Sequence, residues 1–346
     1  MSDSMVNIYE PRTMLAALRQ VATPRRFFHS TFFPRVVSHT TKSVELDIYK
    51  GKRRVAAYVN PILAGRVVER EGFETYEVKP AYTKEKIPTR VADTQTRSFG
   101  ENIYEASTPA QRAAELLGQD LATLDERIVR LEEKMCAEAL ITGKVVVKGD
   151  GWDSLVSFGY EAGKNLITLS GTSLWSNSAS DPMRDLDNWR RMIVQRCGLQ
   201  PTHCITGSEA AWAIIDNPKV KERLDIRRYE MGQINPASMP DGISYYGDLM
   251  LPSGIVSLYS YDEWYTDPVT GEDIPLMPAD KVLLGSTNAR GAFHYGLIQN
   301  MHSLQAASRF PYSWVEEDGS ARWVQLESAP MPNLYQVDAF LVATVL

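Results

Sequence analysis

Apolar residues recur with a helical period over one long stretch of the chain. Their spacings of three and four residues place them along one face of an α-helix. They are Leu117, Leu121, Leu124, Ile128, Leu131 and Met135. Thr108 can cap the start of this helix, Pro109 suits its first turn, and Gly143 follows its end. The pattern predicts a helix over residues 108–142, about 50 Å long, that lies across a sheet.

Before this helix, alternation between apolar and polar residues predicts a long β-hairpin. Residues 44–48 alternate strictly, residues 55–59 form a second apolar run, and a return strand region follows over residues 73–87. We assign the whole excursion to residues 43–95. Its many charges leave too little apolar surface for a core of its own. We therefore expect it to rest on another surface, and a neighbouring subunit is one candidate.

Residues 1–42 are polar with scattered aromatic side chains, as is typical of an extended arm. Four phenylalanines stand close to three arginines, namely Phe27, Phe28, Phe32 and Phe33 near Arg25, Arg26 and Arg35. Pro24 and Pro34 interrupt any longer element, so the arm should not fold into a domain of its own. A disordered tail is the alternative, although large rings anchor interfaces well. We expect these rings to dock onto a neighbouring subunit only after assembly.

The rest of the chain mixes helices and strands without a regular strand–helix–strand repeat, which predicts the α+β class. Helices are predicted at residues 185–196 and 208–216, and strands at 204–206, 245–251, 255–261, 281–285, 323–327 and 340–345. A coiled coil is an alternative role for the long helix. About three heptads without a second such segment are weak evidence for one, so a helix that lies on a sheet is preferred.

Composition and charge narrow the class of protein. The chain has 346 residues, of which 44% are hydrophobic and 23% charged, as in ordinary globular proteins. Its net charge of −6 disfavours nucleic-acid binding through phosphate neutralisation. No apolar run has the length of a membrane span, and Glu10, Pro11 and Arg12 stand where a signal peptide needs an apolar core. Three cysteines without a CxxC pair favour a reducing, cytoplasmic folding environment.

The sequence contains no recognisable catalytic motif. It has no phosphate-binding loop, dinucleotide fingerprint, HExxH or GxSxG pattern, and its five histidines lack metal-ligand spacing. A hydrolase that pairs Cys204 with His294, or that uses the carboxylates at 262–263 or 272–273, is an alternative interpretation. Buried strand ends and solvated loops explain these residues better. We expect no enzymatic activity, no cofactor and no metal.

Eight short segments occur in an order that is specific when they are taken together. They are TTKSV at 40–44, AYVNPI at 57–62, VKP at 78–80, VKERLD at 220–225, LGSTNARG at 284–291, YG and IQ at 295–299, ASRFP at 307–311 with Trp314, and ESAP at 327–330. In these segments the chain resembles the major capsid protein family of lambda-type tailed bacteriophages, the gene E capsid family. The resemblance covers most of the chain, from about residue 25 to residue 346.

The resemblance implies the Hong Kong 97-type capsid fold, an α+β fold with four parts. The N-terminal arm would be residues 1–42, and the extended β-hairpin loop would be residues 43–95. A peripheral domain at 96–200, completed by 316–346, would carry the long helix at 108–142 as its spine. Residues 201–315 would form the axial domain at the centre of the capsomer.

The implied function is that of a structural subunit in the head of a tailed double-stranded DNA phage. Such a subunit self-assembles into hexamers and pentamers in the bacterial cytoplasm and ends in the virion. Portal and scaffold proteins, and a decoration protein in some heads, would be further partners, with weak non-specific contact to packaged DNA and no membrane contact. The candidate inter-subunit contacts are Phe27, Phe28, Phe32, Phe33, Lys52, Arg53, Arg54, Arg66, Arg70 and Glu71.

A DNA-binding module is a further alternative to this function. It would use Arg25, Arg26 and Arg35 together with residues 52–54. These charges are spread over two extended segments, and such charges are better suited to ion pairs between subunits. The mass of the particle separates the alternatives, since a shell sediments in the megadalton range and an enzyme as a small oligomer.

Overall fold

The computed structural model describes residues 7–20, 26–49, 73–96, 108–149, 152–221, 237–238, 242–268, 270–302 and 306–346. The helices of these ranges are α1 (Pro11–Leu18), α2 (Phe27–Phe32), α3 (Val91–Gln95), α4 (Pro109–Thr142), α5 (Pro182–Cys197) and α6 (Ser208–Asp216). Two short 3-10 turns lie at Gly171–Ser173 and Val337–Ala339. None of the helices in these ranges is both long enough and apolar enough to cross a membrane.

Most of the strands lie in the second half of the chain. They are β1 (Arg35–Ser38), β2 (Val44–Tyr49), β3 (Phe73–Val78), β4 (Thr83–Arg90), β5 (Lys144–Gly149), β6 (Trp152–Ser157), β7 (Leu166–Thr168), β8 (His203–Thr206), β9 (Ala237–Ser238), β10 (Ile243–Leu251), β11 (Gly254–Tyr261), β12 (Trp264–Thr266), β13 (Asp273–Pro275), β14 (Lys281–Gly285), β15 (Gly291–Tyr295), β16 (Phe310–Val315), β17 (Ala321–Ser328), β18 (Pro330–Leu334) and β19 (Phe340–Thr344).

The predicted spine helix is confirmed as α4. Thr108 caps it in a capping box, in which its hydroxyl accepts a hydrogen bond from the Gln111 N–H and the Gln111 side chain reaches back to the Thr108 N–H. Gly143 ends it with φ +67°, a conformation that glycine adopts without strain. The predicted apolar stripe is buried or half-buried along the whole helix.

Three sheets pack on α4 or on elements that lie beside it. The sheet β16–β17–β4 packs with α1 on the N-terminal half of α4, through Val324, Leu326 and Met14 among others. The small sheet β1–β15–β18 packs on the C-terminal half. The largest sheet has the order β7–β19–β14–β8–β11–β10–β9 and is covered on its far side by α5 and α6.

The central strands of the largest sheet are buried on both faces. In β8, Ile205 faces the cluster around α4, whereas the neighbouring Cys204 faces the cluster under α5. The same alternation holds in β19, where Val342 faces α4 and Leu341 faces α5. A strand that is covered on both sides has an unbroken apolar run, which explains the uniformly apolar sequences of these strands.

The strand pairing does not follow the predicted domain boundaries. α5, β7 and β19 were assigned to the peripheral parts 96–200 and 316–346, yet they pack in or on the sheet built mainly from residues 201–315. Conversely, β15 and β16 were assigned to the axial part, yet they pair with strands that lie on or beside α4. The predicted boundaries follow chain order, whereas the sheets pair strands that are distant in sequence.

The predicted extended loop is shorter at its C-terminal end than residue 95. β2 and β3 pair with each other in antiparallel register, from Val44 with Val78 to Tyr49 with Phe73. β4 instead pairs with β17 along eight positions, and α3 follows it beside α4. β4 thus belongs to the sheet that packs on the N-terminal half of α4, and α3 lies beside that helix. The predicted strand at residues 55–59 lies outside the described residues.

The described part of the arm is folded onto its own subunit. The side chains of Phe27, Phe28, Phe32 and Phe33 are all buried in the core of their own chain. Pro34 closely follows α2, and the core of the same subunit receives the rings of this short helix. A contact of these rings with a neighbouring subunit stays a prediction.

The two faces of α4 differ in what they contact, so mutations on the buried face should destabilise the protein much more than mutations on the exposed face. Replacing Leu124, which is 1% exposed, by alanine should lower the free energy of unfolding by about 2–5 kcal/mol, because a buried cavity remains. The matched control Arg130→Ala should change it by less than about 0.5 kcal/mol, because Arg130 is exposed and pairs only with Glu126 one turn away. Denaturant unfolding measures both, and equal effects would contradict the assignment of a packing face.

Candidate functional site: a buried polar cluster beneath the N-terminal segment

Two adjacent glutamates lie fully buried in the middle of α4. Glu132 is 0% and Glu133 1% exposed, although both stand in a sequence that otherwise looks like a solvated helix turn. Adjacent residues on a helix point about 100° apart, so the two carboxylates reach different neighbours. A buried carboxylate is stable only where hydrogen bonds or opposite charges compensate it. The partners of these two glutamates come from four distant parts of the chain.

Glu133 caps the N-terminus of α2. The backbone N–H groups of Phe28 and His29 donate to its two carboxylate oxygens at 2.7 and 3.1 Å. α2 has no capping side chain of its own, so Glu133 provides from 105 residues away what an N-cap residue usually provides locally. The Tyr261 hydroxyl of β11 donates to the same carboxylate at 3.1 Å. One side chain thereby joins the arm, the spine helix and the largest sheet.

Glu132 is held by an arginine from the loop that precedes β16. Arg309 Nη1 lies 2.6 Å from Glu132 Oε1, and Arg309 Nε lies 2.7 Å from Asp125 Oδ1, two helix turns earlier in α4. The Tyr295 hydroxyl of β15 also donates to Glu132 Oε1, at 2.8 Å. Arg26, just before α2, places Nη1 3.8 Å from Glu132 Oε2. Arg309 therefore compensates the buried charges of Glu132 and Asp125 on the spine helix.

Burial shifts the proton affinities of this cluster in opposite directions. Burial raises the pKa of Glu133 to about 7, against the lowering effect of the three hydrogen bonds that it accepts. Burial also lowers the pKa of His29 to about 4, so that its imidazole is neutral in the folded protein. The pKa of Arg309 is raised, because the carboxylate of Glu132 outweighs the effect of burial. A cleft of about 260 Å³, lined in part by Trp264 and Arg130, reaches Glu133 from the surface.

Contacts between aromatic rings complete the packing of α2 against the subunit core. Phe28 meets Tyr261 edge to face with ring centroids 5.0 Å apart, and Phe32 meets Phe340 of β19 in the same way at 5.5 Å. Gly291 lets the arm approach β15 closely, since a Cβ there would lie 2.0 Å from the Phe32 carbonyl oxygen. Rings, cap and glycine together fix α2 in one position against α4.

The residues considered for catalysis are not assembled into a catalytic site. Cys204 is fully buried in an apolar cluster, and burial raises the pKa of its thiol to about 12, which leaves no thiolate for nucleophilic attack. His294 contacts His39 and Tyr335. The carboxylates at 262–263 and 272–273 lie mostly exposed at the ends of β12 and β13. Among the described residues, no group of three or more side chains could hold a metal ion.

The predicted contact residues divide into two sets. The four phenylalanines form part of the subunit core, as described above. The other six lie outside the described residues, and they are Lys52, Arg53, Arg54, Arg66, Arg70 and Glu71. Sequence reasoning missed the glutamate pair altogether. A signal was present, since Glu132 and Glu133 follow the buried Ile128 and Val129 by four residues and therefore lie on the packed side of the helix.

Comparison with known proteins gives consistent matches over nearly the whole chain. The family model for phage major capsid protein E matches residues 10–345. The chain is 30% identical to the major capsid protein of Enterobacteria phage P21, over 98% of this chain and 100% of that protein. It is 28% identical to the major capsid protein of Escherichia phage lambda, over 97% and 98%.

A solved structure shows the same fold. The crystal structure of the putative capsid protein of an Escherichia coli CFT073 prophage superposes with a TM-score of 0.74 at 20% sequence identity. The match covers 97% of this chain and 99% of that chain. At this level of identity the likeness concerns the fold, including its mixture of helices and sheets.

Replacing Glu133 by glutamine should change how stability depends on pH. The folded-state pKa of Glu133 lies above its unfolded value, so its contribution is fully present below about pH 4.5 and is lost as the pH rises through about 7. The free energy of unfolding of Glu133→Gln, measured relative to the wild type, should therefore rise by roughly 1–3 kcal/mol between pH 5 and pH 8. Glu115→Gln, on the exposed side of α4, is the matched control and should parallel the wild type. Parallel curves for both variants would contradict this account of Glu133.

Proposed function

The chain belongs to the phage major capsid protein E family, and from that premise we propose that its copies assemble as hexamers and pentamers into the icosahedral head around a double-stranded DNA genome. The protein is a structural subunit of the virion and not an enzyme, since its relatives are major capsid proteins. The α+β fold of the Hong Kong 97 capsid type, predicted from the sequence, is confirmed. The hydrolase alternative has no support.

The observation that carries the proposal is the extent of the match. The family model matches residues 10–345, and the two relatives align over 97–98% of the chain. These matches include the arm, the hairpin segment and the terminal strand. A shared binding module would match only part of the chain. A match from residue 10 to residue 345 instead indicates that nearly the whole chain corresponds to one capsid subunit.

The four capsid parts can be redrawn on the observed sheets. The arm includes α1, α2 and β1, and the extended loop consists of β2, β3 and the residues between them. The peripheral part comprises α4 with the sheets β16–β17–β4 and β1–β15–β18. The axial part comprises the seven-stranded sheet with α5 and α6. This division is supported by which apolar clusters each element joins.

The extended loop is the segment proposed to reach a neighbouring subunit. Among the described residues, β2 and β3 pair with each other and join no other sheet. A two-stranded hairpin is only marginally stable alone, so a second surface is needed to hold it. The residues between the strands carry six lysines and arginines against two glutamates, and the contact residues Lys52, Arg53, Arg54, Arg66, Arg70 and Glu71 are among them. Such charges favour register and partner choice over raw affinity.

Other partners follow from the same assignment. Portal and scaffold proteins would meet this subunit during assembly in the host cytoplasm, and a decoration protein would bind the finished head in some phages. Packaged DNA would make only weak non-specific contacts. A net charge of −6 supports weak contact, because tight phosphate binding needs a basic surface. Arg26, once considered for DNA contact, lies within 3.8 Å of the buried Glu132.

Deleting residues 65–72 at the presumed tip of the extended loop tests the assembly model. The variant should remain soluble and folded, with the far-ultraviolet circular dichroism of the wild type, because this charged segment offers little apolar surface to a core. It should fail to form shells, because the contact with the neighbour is lost. Sedimentation and electron microscopy of wild type and variant in parallel measure this. Normal particles from the deletion variant would refute the role of the loop.

Charge reversal within the loop gives a finer test. Arg54→Glu should reduce the yield of shells at least several-fold, because a like charge opposite a partner carboxylate is repulsive. The matched control Arg54→Lys keeps the charge and should assemble nearly as well as the wild type. Equal yields for both variants would show that Arg54 makes no charged contact between subunits.

A further inference from the structure

Two histidines from separate strands contact each other at the edge of the small sheet. His39, directly after β1, places Nε2 2.8 Å from Nδ1 of His294 in β15. His294 Nε2 lies 3.1 Å from the Tyr335 hydroxyl. The two imidazole rings are stacked, with centroids 5.0 Å apart and planes inclined by 23°. A contact of 2.8 Å between two ring nitrogens needs a hydrogen on one and a lone pair on the other.

The contact holds an edge strand. β1 pairs in parallel with β15 over only four positions, from Arg35 with Ala292 to Ser38 with Tyr295. It lies at the edge of its three-stranded sheet, and Val36 within it is 52% exposed. The His39 N–H adds a backbone bond of 2.8 Å to the Tyr295 carbonyl. Four strand positions and this backbone bond hold β1 to β15, and the histidine pair adds a side-chain contact to them.

The surroundings of His294 disfavour a positive charge. Arg35, Val37 and His39 alternate along one face of the β1 segment, so Arg35 and His39 flank His294 from the same side. On the other side, Met331 of β18 pairs with His294. The titratable group that contacts His294 there is the phenol of Tyr335. Burial first, and then His39 and Arg35, lower the pKa of His294 to about 4. Both charged groups that act on His294 are thus basic.

We propose that His39 and His294 form an acid-sensitive clasp, which holds β1 against β15 at neutral pH and releases it when His294 takes up a proton. A protonated His294 carries a hydrogen on Nδ1, so it cannot accept a hydrogen bond from His39 Nε2; when that nitrogen carries a hydrogen as well, no hydrogen bond can join the two rings. Its charge would also lie beside Arg35 and His39 in a buried site. The proposal goes beyond the assembly of the shell, since the device is complete within one subunit.

The direction of the pH effect follows from linkage. A free histidine takes up a proton near pH 6.5, whereas His294 in the closed clasp does so only near pH 4. The stability of the closed form is therefore fully present above about pH 6.5 and is lost as the pH falls toward 4. At pH 5 the equilibrium for opening should favour the open form roughly tenfold more than at pH 7.5.

Amide hydrogen exchange of the full-length protein tests the clasp. Protection of the β1 amides, corrected for the intrinsic exchange rate, should fall roughly tenfold between pH 7.5 and pH 5, while β14 in the largest sheet keeps its protection. In His294→Gln the loss at pH 5 should disappear, because no proton is taken up there. In His39→Gln it should shrink, because one of the charges that act on His294 is gone.

The control variant is His302→Gln, whose exposed ring stacks on Tyr312 in another sheet and should leave the wild-type pH response unchanged. Equal protection of wild-type β1 at both pH values would overturn the proposal. So would a loss in His294→Gln as large as in the wild type. If His294→Gln does not fold, His39→Gln decides alone, and an undiminished loss in that variant overturns the proposal.

Discussion

Two carboxylates in the middle of the spine helix govern how the rest of the subunit is arranged. An uncompensated buried charge costs several kcal/mol, so Glu132 and Glu133 can be buried only where donors and cations meet them. Arg309 and Tyr295 meet the first, and the N-terminus of α2 with Tyr261 meets the second. Such a cluster adds little net stability compared with an apolar core. Its effect is to admit one arrangement of arm, sheets and loop around α4 and to penalise others.

Sequence patterns predicted the elements well where the physics is local. The bounds of α4 came from its capping residues and apolar period, and the helix predicted at residues 185–196 is present as α5. Strands such as β11 and β14 were found because short apolar runs bounded by turn residues indicate them. In these cases the signal lies within one element and needs no knowledge of its neighbours.

Pairings between distant segments were not accessible in the same way. Nothing in the sequence of residues 340–344 indicates that they lie between β14 and β7. The arm was judged unable to fold because its own residues offer no core, yet Phe28 and Phe33 are buried by partners more than a hundred residues away. Glu133 looked like surface charge for the same reason, since the helix that it caps is made by another part of the chain.

The position of β19 in the seven-stranded sheet has a consequence for the timing of folding. β19 is made after every other strand, but it lies between β7 and β14 and is the link that joins β7 to the sheet. A growing chain on the ribosome cannot close this sheet until residues 340–344 have emerged, and contacts of such long range form slowly. Until then, Phe340 and Val342 are missing from the apolar core surface against which α2 packs. Completion of the sheet thus waits for residues 340–344, so the surface against which α2 packs is finished only after the other described strands have been made.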